Sequence, residues 1–185
     1  PMEFIPILEE TKLIIPVGKW IFEEAVKTCK RWRQQIPDFR VSINMSYEQV
    51  KDLSFKKFVA ECLQRYDMPP EAIILELTES KIVADWSFVN KQFDEFRQQG
   101  LAIAMDDFGT GYSSLASFKY LCCDIVKIDR EFVKKILEND FDRRLVKYVV
   151  ALCHSIGIKC CIEGVEEEAE YELLTKECKA DSIQG

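Results

Sequence analysis

No long apolar run and no basic, apolar leader occurs in these residues, so neither a helical membrane span nor a secretory signal is read in them, and a cytoplasmic location is the expectation. A Lys/Arg-rich run is missing as well. With a net charge of −7, non-specific attraction to a nucleic-acid duplex or an anionic membrane is not expected, and a site for an anionic ligand must bring its own positive charge. The eight cysteines (29, 62, 122, 123, 153, 160, 161 and 178) form no C-x-x-C pair and no Cys/His zinc spacing. Two pairs are adjacent residues inside apolar runs, where a thiol packs as a small hydrophobe; the reading is reduced, structural cysteine in a reducing compartment. His154, the single histidine, falls on an apolar helical stripe with no motif around it and is read as structural.

What the chain does have is apolar material, 48% of 185 residues, enough for the core of one domain spanning 1–185. Short apolar runs alternate with amphipathic stretches, the pattern of repeated β/α units around a parallel sheet. Strands are predicted at 40–44, 72–79, 101–107, 124–129, 158–164 and, more weakly, 181–185. Helical stripes are read at Trp20, Ile21, Ala25, Cys29 and Trp32; at Phe55, Phe58, Val59, Cys62, Leu63 and Tyr66; at Trp86, Val89, Phe93 and Phe96; and at Phe141, Leu145, Tyr148, Val149, Leu152 and Ile156. All four are read as core packing. The first ~15 residues read as a helix after a Phe-Ile-Pro connection.

Polar residues gather where these strands end: Asn44, Glu76, Asp106, Lys127 and Glu163. In parallel β/α architectures that edge carries the active site. Six strands are found where a closed barrel needs eight, so the predicted fold is α/β, a modified TIM-type β/α barrel lacking its first strands at the N-terminus.

Carboxylates gathered at one edge repel one another and have raised pKa values unless a cation neutralises them. Oxygen donors without His or Cys point to a hard cation, magnesium, manganese or calcium. Asn44 adds an amide oxygen, and adjacent Asp106 and Asp107 suit two metals, as in phosphoryl transfer. Lys127 has two functional readings, orienting an attacking water or offsetting charge on a phosphate, and one structural reading as a salt bridge. Glu163 is read as a metal ligand or a base. The G-T-G of "DFGTG" reads as a tight turn rather than a phosphate cradle.

The ordered motifs "VSINMS", "LELTES", "MDDFGTGYSSL", "VKIDREFV", "IEGVEEE" and "IQG" resemble the EAL-domain phosphodiesterases that hydrolyse the bacterial second messenger cyclic di-GMP. "FIPILEE" and "PVGKWIFEEA" resemble the segments that follow that family's first signature. The resemblance implies a modified β/α barrel, often dimeric, holding two Mg2+ or Mn2+ ions and producing linear pGpG. It implies metal ligation by Asn44, Glu76, Asp106, Asp107 and Asp129, and catalytic positions at Lys127, Glu163 and Gln184. Glu166 is implied beside Glu163, and Glu79 is implied as the anchor of the loop that includes Thr110. Regulatory domains of a longer parent protein are implied as partners.

The tripeptide Glu-Ala-Leu that names the family does not occur, and the chain stops at Gln184-Gly185, so a domain cut at both ends is the expectation. Two other readings stand beside the enzyme. One is a catalytically inactive cyclic di-GMP receptor or interaction module. The other is an enolase-type lyase, in which Lys127 is a base and no phosphodiester is cleaved.

Overall fold

The computed structural model describes residues 3–78, 86–109 and 122–185, and of Trp86 only the backbone. Helices α1 (Ile5–Glu10) and α2 (Ile14–Arg33) come first, in agreement with the helical reading of the N-terminal residues. They are followed by β1 (Val41–Asn44), α3 (Tyr47–Lys51), α4 (Leu53–Arg65), β2 (Ile73–Thr78), α5 (Trp86–Gln98) and β3 (Ala102–Phe108). The remainder is β4 (Ile125–Ile128), α6 (Asp140–Ser155), β5 (Lys159–Glu163), α7 (Glu168–Lys176) and β6 (Ser182–Gln184).

The six strands follow chain order in the sheet, and every pairing with a described register is parallel. That is the β/α-barrel topology, with six strands among the described residues. Their sequences explain it: parallel strands covered on both faces are near-continuous apolar runs, such as "IVKI" and "KCCIE". Helix starts are set by side chains that accept otherwise orphaned N–H groups. Asp52 accepts from Phe55 N–H at 2.8 Å at the start of α4, and Asn139 accepts from Phe141 N–H at 3.0 Å at the start of α6.

The chain divides into two compact units, one of residues 1–77 and 84–103, the other of 78–83 and 104–185. In the first, Phe22 of α2 meets Phe55 and Phe58 of α4 edge-on, with ring centroids 6.3 Å apart in both pairs. Val89, Phe93 and Phe96 of α5 are buried, as their stripe predicts. In the second, Val126, Ile128, Val146, Val150, Cys160, Ile162 and Leu174 make the core. All eight cysteines are free thiols, and only Cys122 is not fully buried.

Two of the predicted stripes are offset from the buried face, although Cys29 of the α2 stripe is buried as read. On α6, Phe141 is 70% exposed and Tyr148 73%, while Val146, Val150 and Cys153 are buried. On α2, Trp20, Ile21 and Trp32 are exposed, and Phe22, Val26 and Cys29 fill the core. Both helices carry apolar residues on two neighbouring faces, so a 3.6-residue period is present twice and the period alone does not choose between them. His154 keeps its structural reading but not its place on an apolar face: it is exposed, and its Nε2 lies 2.8 Å from Asp181 Oδ2.

Candidate functional site

In the first unit, parallel pairing sets Asn44 opposite Glu76 at the ends of β1 and β2. Glu76 is buried and Asn44 exposed. The ladder continues one step further, Met45 N–H donating to the Glu76 carbonyl at 2.8 Å.

In the second unit, β3 departs from regular pairing. Met105 pairs with Val126 and Phe108 with Ile128, so Asp106 and Asp107 together oppose the single residue Lys127. This is a β-bulge, and Asp107 takes the left-handed conformation with φ of 54°. In an unbroken strand, adjacent side chains point to opposite faces. The bulge cancels that alternation: ligand oxygens of Asp106, Asp107 and Glu163 all lie within 4.8 Å of one another.

Lys127 stands among them, only 5% exposed. Its Nζ is 3.2 Å from Asp106 Oδ1 and 2.5 Å from Glu163 Oε1, while Asp107 N–H donates to Asp106 Oδ1 at 3.1 Å. Register explains the reach to Glu163: Lys127 pairs with Cys161, and Glu163 lies two residues on, on the same face. One ammonium among three carboxylates leaves the cluster negative. Burial, then the charges of Asp106 and Asp129, push the Asp107 carboxyl above its ordinary value, and Lys127 offsets this only in part. A cluster of hard oxygen donors carrying excess negative charge fits a divalent cation such as Mg2+, Mn2+ or Ca2+.

The other predicted residues are placed as follows. Asp129 caps the turn after β4, accepting from Glu131 N–H at 2.8 Å, and is near enough to Asp107 to raise its pKa. Gln184 is the β6 register partner of Glu163 and is exposed. Glu166 has an exposed side chain; its N–H donates at 2.9 Å to Glu170, a residue that the sequence reading did not single out. Glu170 also accepts from Glu167 N–H, closing the start of α7, and the Glu-x-x-Glu spacing before a helix is the signal that marks it. Glu79 and Thr110 lie outside the described residues. Asn44 and Glu76 are thus brought together in one unit, and Asp106, Asp107, Lys127 and Glu163 in the other.

A parallel β/α chain with an acidic, lysine-centred cluster at its strand ends has the layout of a cation-binding β/α-barrel enzyme. The chain belongs to the EAL domain family, whose family model matches residues 1–185. It is 34% identical over its whole length to the signaling protein YkoW of Bacillus subtilis, and equally to the bifunctional diguanylate cyclase/cyclic di-GMP phosphodiesterase MucR of Pseudomonas aeruginosa. It spans 23% and 27% of those proteins, about a quarter of their length. The solved PaMucR phosphodiesterase in complex with c-di-GMP superposes with a TM-score of 0.86 at 34% identity, covering 100% of this chain and 75% of that one. A manganese and cyclic di-GMP complex of Klebsiella pneumoniae BlrP1 matches with a TM-score of 0.77 at 25% identity, over 90% of this chain and 43% of that one.

Proposed function

We propose that residues 1–185 act as an EAL-type phosphodiesterase domain that hydrolyses cyclic di-GMP to linear pGpG in bacterial second-messenger signalling. The observation that carries this reading is the convergence of Asp106, Asp107 and Glu163 oxygens within 4.8 Å around the buried Lys127. The named activities of the matching proteins support it.

In this reading Asp106, Asp107 and Glu163 would hold a divalent cation, and the resemblance adds Asn44, Glu76 and Asp129 to the ligands of a two-ion Mg2+ or Mn2+ set. Bound divalent cations supply Lewis acidity and offset the charge that builds on the phosphate. Lys127, whose Nζ lies against Asp106 and Glu163, would orient the attacking water beside those carboxylates. Water adds to phosphorus and one ring-closing P–O bond breaks, the leaving oxygen taking a proton, so that a linear dinucleotide with one terminal phosphate results. Gln184, the register partner of Glu163, would contact the water or the phosphate. Glu166 would support Glu163, and the resemblance assigns to Glu79 the anchoring of the loop that includes Thr110 and leads to a homodimer contact. Regulatory domains of a longer cytoplasmic protein would control the rate. No helix of the described residues is long and apolar enough to cross a membrane.

The test is turnover by the intact protein supplied with cyclic di-GMP and either Mg2+ or Mn2+, with nucleotide products separated. Cation-dependent appearance of pGpG is expected. Tight binding of cyclic di-GMP by a folded, cation-loaded protein with no linear product overturns the enzyme reading in favour of a receptor.

A further inference from the structure

The turn after β4 is locked to the exits of the two strands beside it. Residues Arg130–Phe132 form a single 3-10 turn capped by Asp129. On one side the Phe132 ring lies against Gly109, in the exit from β3; a Cβ there would stand 2.6 Å from two ring carbons. On the other side Arg130 lies against Gly164, just past β5, where an added Cβ would come within 2.3 Å of the Arg130 Cβ. Both glycines have positive φ, 96° and 70°, so neither position accepts a side chain on steric or conformational grounds. Of the exits gripped in this way, Gly109 follows Asp106–Asp107 with only Phe108 between, and Gly164 follows Glu163 directly.

The bulge needs such a grip. A non-glycine residue at φ of 54° is strained, and the neighbouring structure must hold it there. On its N-terminal side Asp107 is fixed by the Met105 to Val126 pairing; on its C-terminal side the fixed points are the Phe108 to Ile128 pairing and then Gly109 under Phe132. If that second side loosens, the strand can relax to regular alternation, which turns Asp107 to the face opposite Asp106.

We propose that Phe132 is a positioning residue for cation binding: seated on Gly109, it holds the exit of β3 so that Asp106 and Asp107 share one face with Glu163. This rests on the reading of those carboxylates as cation ligands. In this role Phe132 acts through the backbone of residues 107–109, by way of its ring against Gly109.

The test is Mn2+ affinity of the intact protein, read by electron paramagnetic resonance without nucleotide and well below the melting temperature, beside a thermal melt. Phe132→Ala is expected to weaken Mn2+ binding about tenfold, the scale of lost support behind metal ligands. Gly109→Ala should do the same alone, and should cost less affinity in the Phe132→Ala background than in the parent, because the ring it strikes is gone and only the cost of a side chain at φ of 96° remains. Gly157→Ala supplies the control: φ is also positive there, 77°, but nothing lies within 4 Å of the added Cβ, so the melting temperature should fall with Mn2+ affinity intact.

Phe132→Leu provides a milder variant should Phe132→Ala not fold. Unchanged Mn2+ affinity in a folded Phe132 variant, with affinity lost in Asp106→Asn, overturns the positioning role and leaves the ligand reading standing. Equal affinity losses in Phe132→Ala and Gly157→Ala also overturn it, since the effect would then be general destabilisation. Unchanged affinity in Asp106→Asn removes the ligand reading itself, and the proposal with it.

Discussion

Two aspartates in the second unit, Asp107 and Asp181, carry the same charge in opposite circumstances. Asp107 sits where β3 ends, crowded by Asp106 and Asp129, and its carboxyl is pushed up by burial and by those charges. Asp181 lies just before β6. Burial alone would raise its carboxyl too, but the Cys160 N–H at 2.7 Å, His154 and Lys159 outweigh that and hold it below its usual range. The Asp181 N–H also donates back to the Cys160 carbonyl at 3.0 Å, so the residue binds β5 to β6 through both backbone groups of one partner. One carboxylate is satisfied by the fold; the other is kept in tension by it. Tension of that kind marks groups retained for a ligand rather than for stability.

Lys127→Ala strikes the tense end hardest. Turnover at saturating cation should fall by about two to three orders of magnitude, the scale of a lost electrostatic partner in a transition state, while Mn2+ binding largely survives. Preserved turnover, measured by nucleotide separation, removes Lys127 from the chemistry.

Asp107→Asn should lose cation affinity and at the same time gain stability without cation, melting about 2–4 °C higher. The sign follows from the raised pKa: the folded state disfavours the charged carboxylate, so ionised Asp107 costs stability above its folded pKa, and that cost fades as pH falls through it. Melting curves in a chelator at neutral pH check this; a lower melting temperature would show that Asp107 is as well satisfied as Asp181.

Asp181→Asn should have the reverse effect, costing about 1 kcal/mol at neutral pH with turnover unchanged. Because the folded pKa of Asp181 is depressed, its stabilisation is present above the unfolded value and is lost as pH falls through the folded one. The variant should therefore show a flatter acid limb in a pH series of denaturation curves.

His154→Gln, the smallest change, tests the exposed side of the same clamp and should cost no more than about 0.5 kcal/mol. A larger loss in chemical denaturation would make the pair with His154, rather than the backbone of Cys160, the main support of Asp181.

The strands were legible because each is a short apolar run bounded by polar residues, and all six fall within a residue or two of their predicted ends. Residue types at the strand ends were legible for the same reason, since a carboxylate at the end of a buried strand is costly without a function. The bulge was not. Nothing in "AMDDF" states that Asp106 and Asp107 share a face, because that depends on which residue of β4 each one meets. The faces of α2 and α6 were also illegible: large aromatics such as Trp20 and Tyr148 dominate a helical reading, whereas the buried positions went to Phe22 and the smaller Val146 and Val150. Phe132 drew no attention because its partner is a glycine, and a contact with an absent side chain leaves no trace in hydrophobic pattern.

The extra residue between Met105 and Phe108 has a consequence for reading related chains. It changes the parity of the strand, so residues before it and after it follow opposite odd-even schemes against β4. A relative with a single aspartate here, aligned by one gap, would look like a conservative shortening. In three dimensions it would have lost a carboxylate and the phase slip together, with the remaining aspartate opposite Lys127 in an ordinary ladder. Counting residues between the methionine and the phenylalanine is therefore a more telling comparison than scoring whether an aspartate is present.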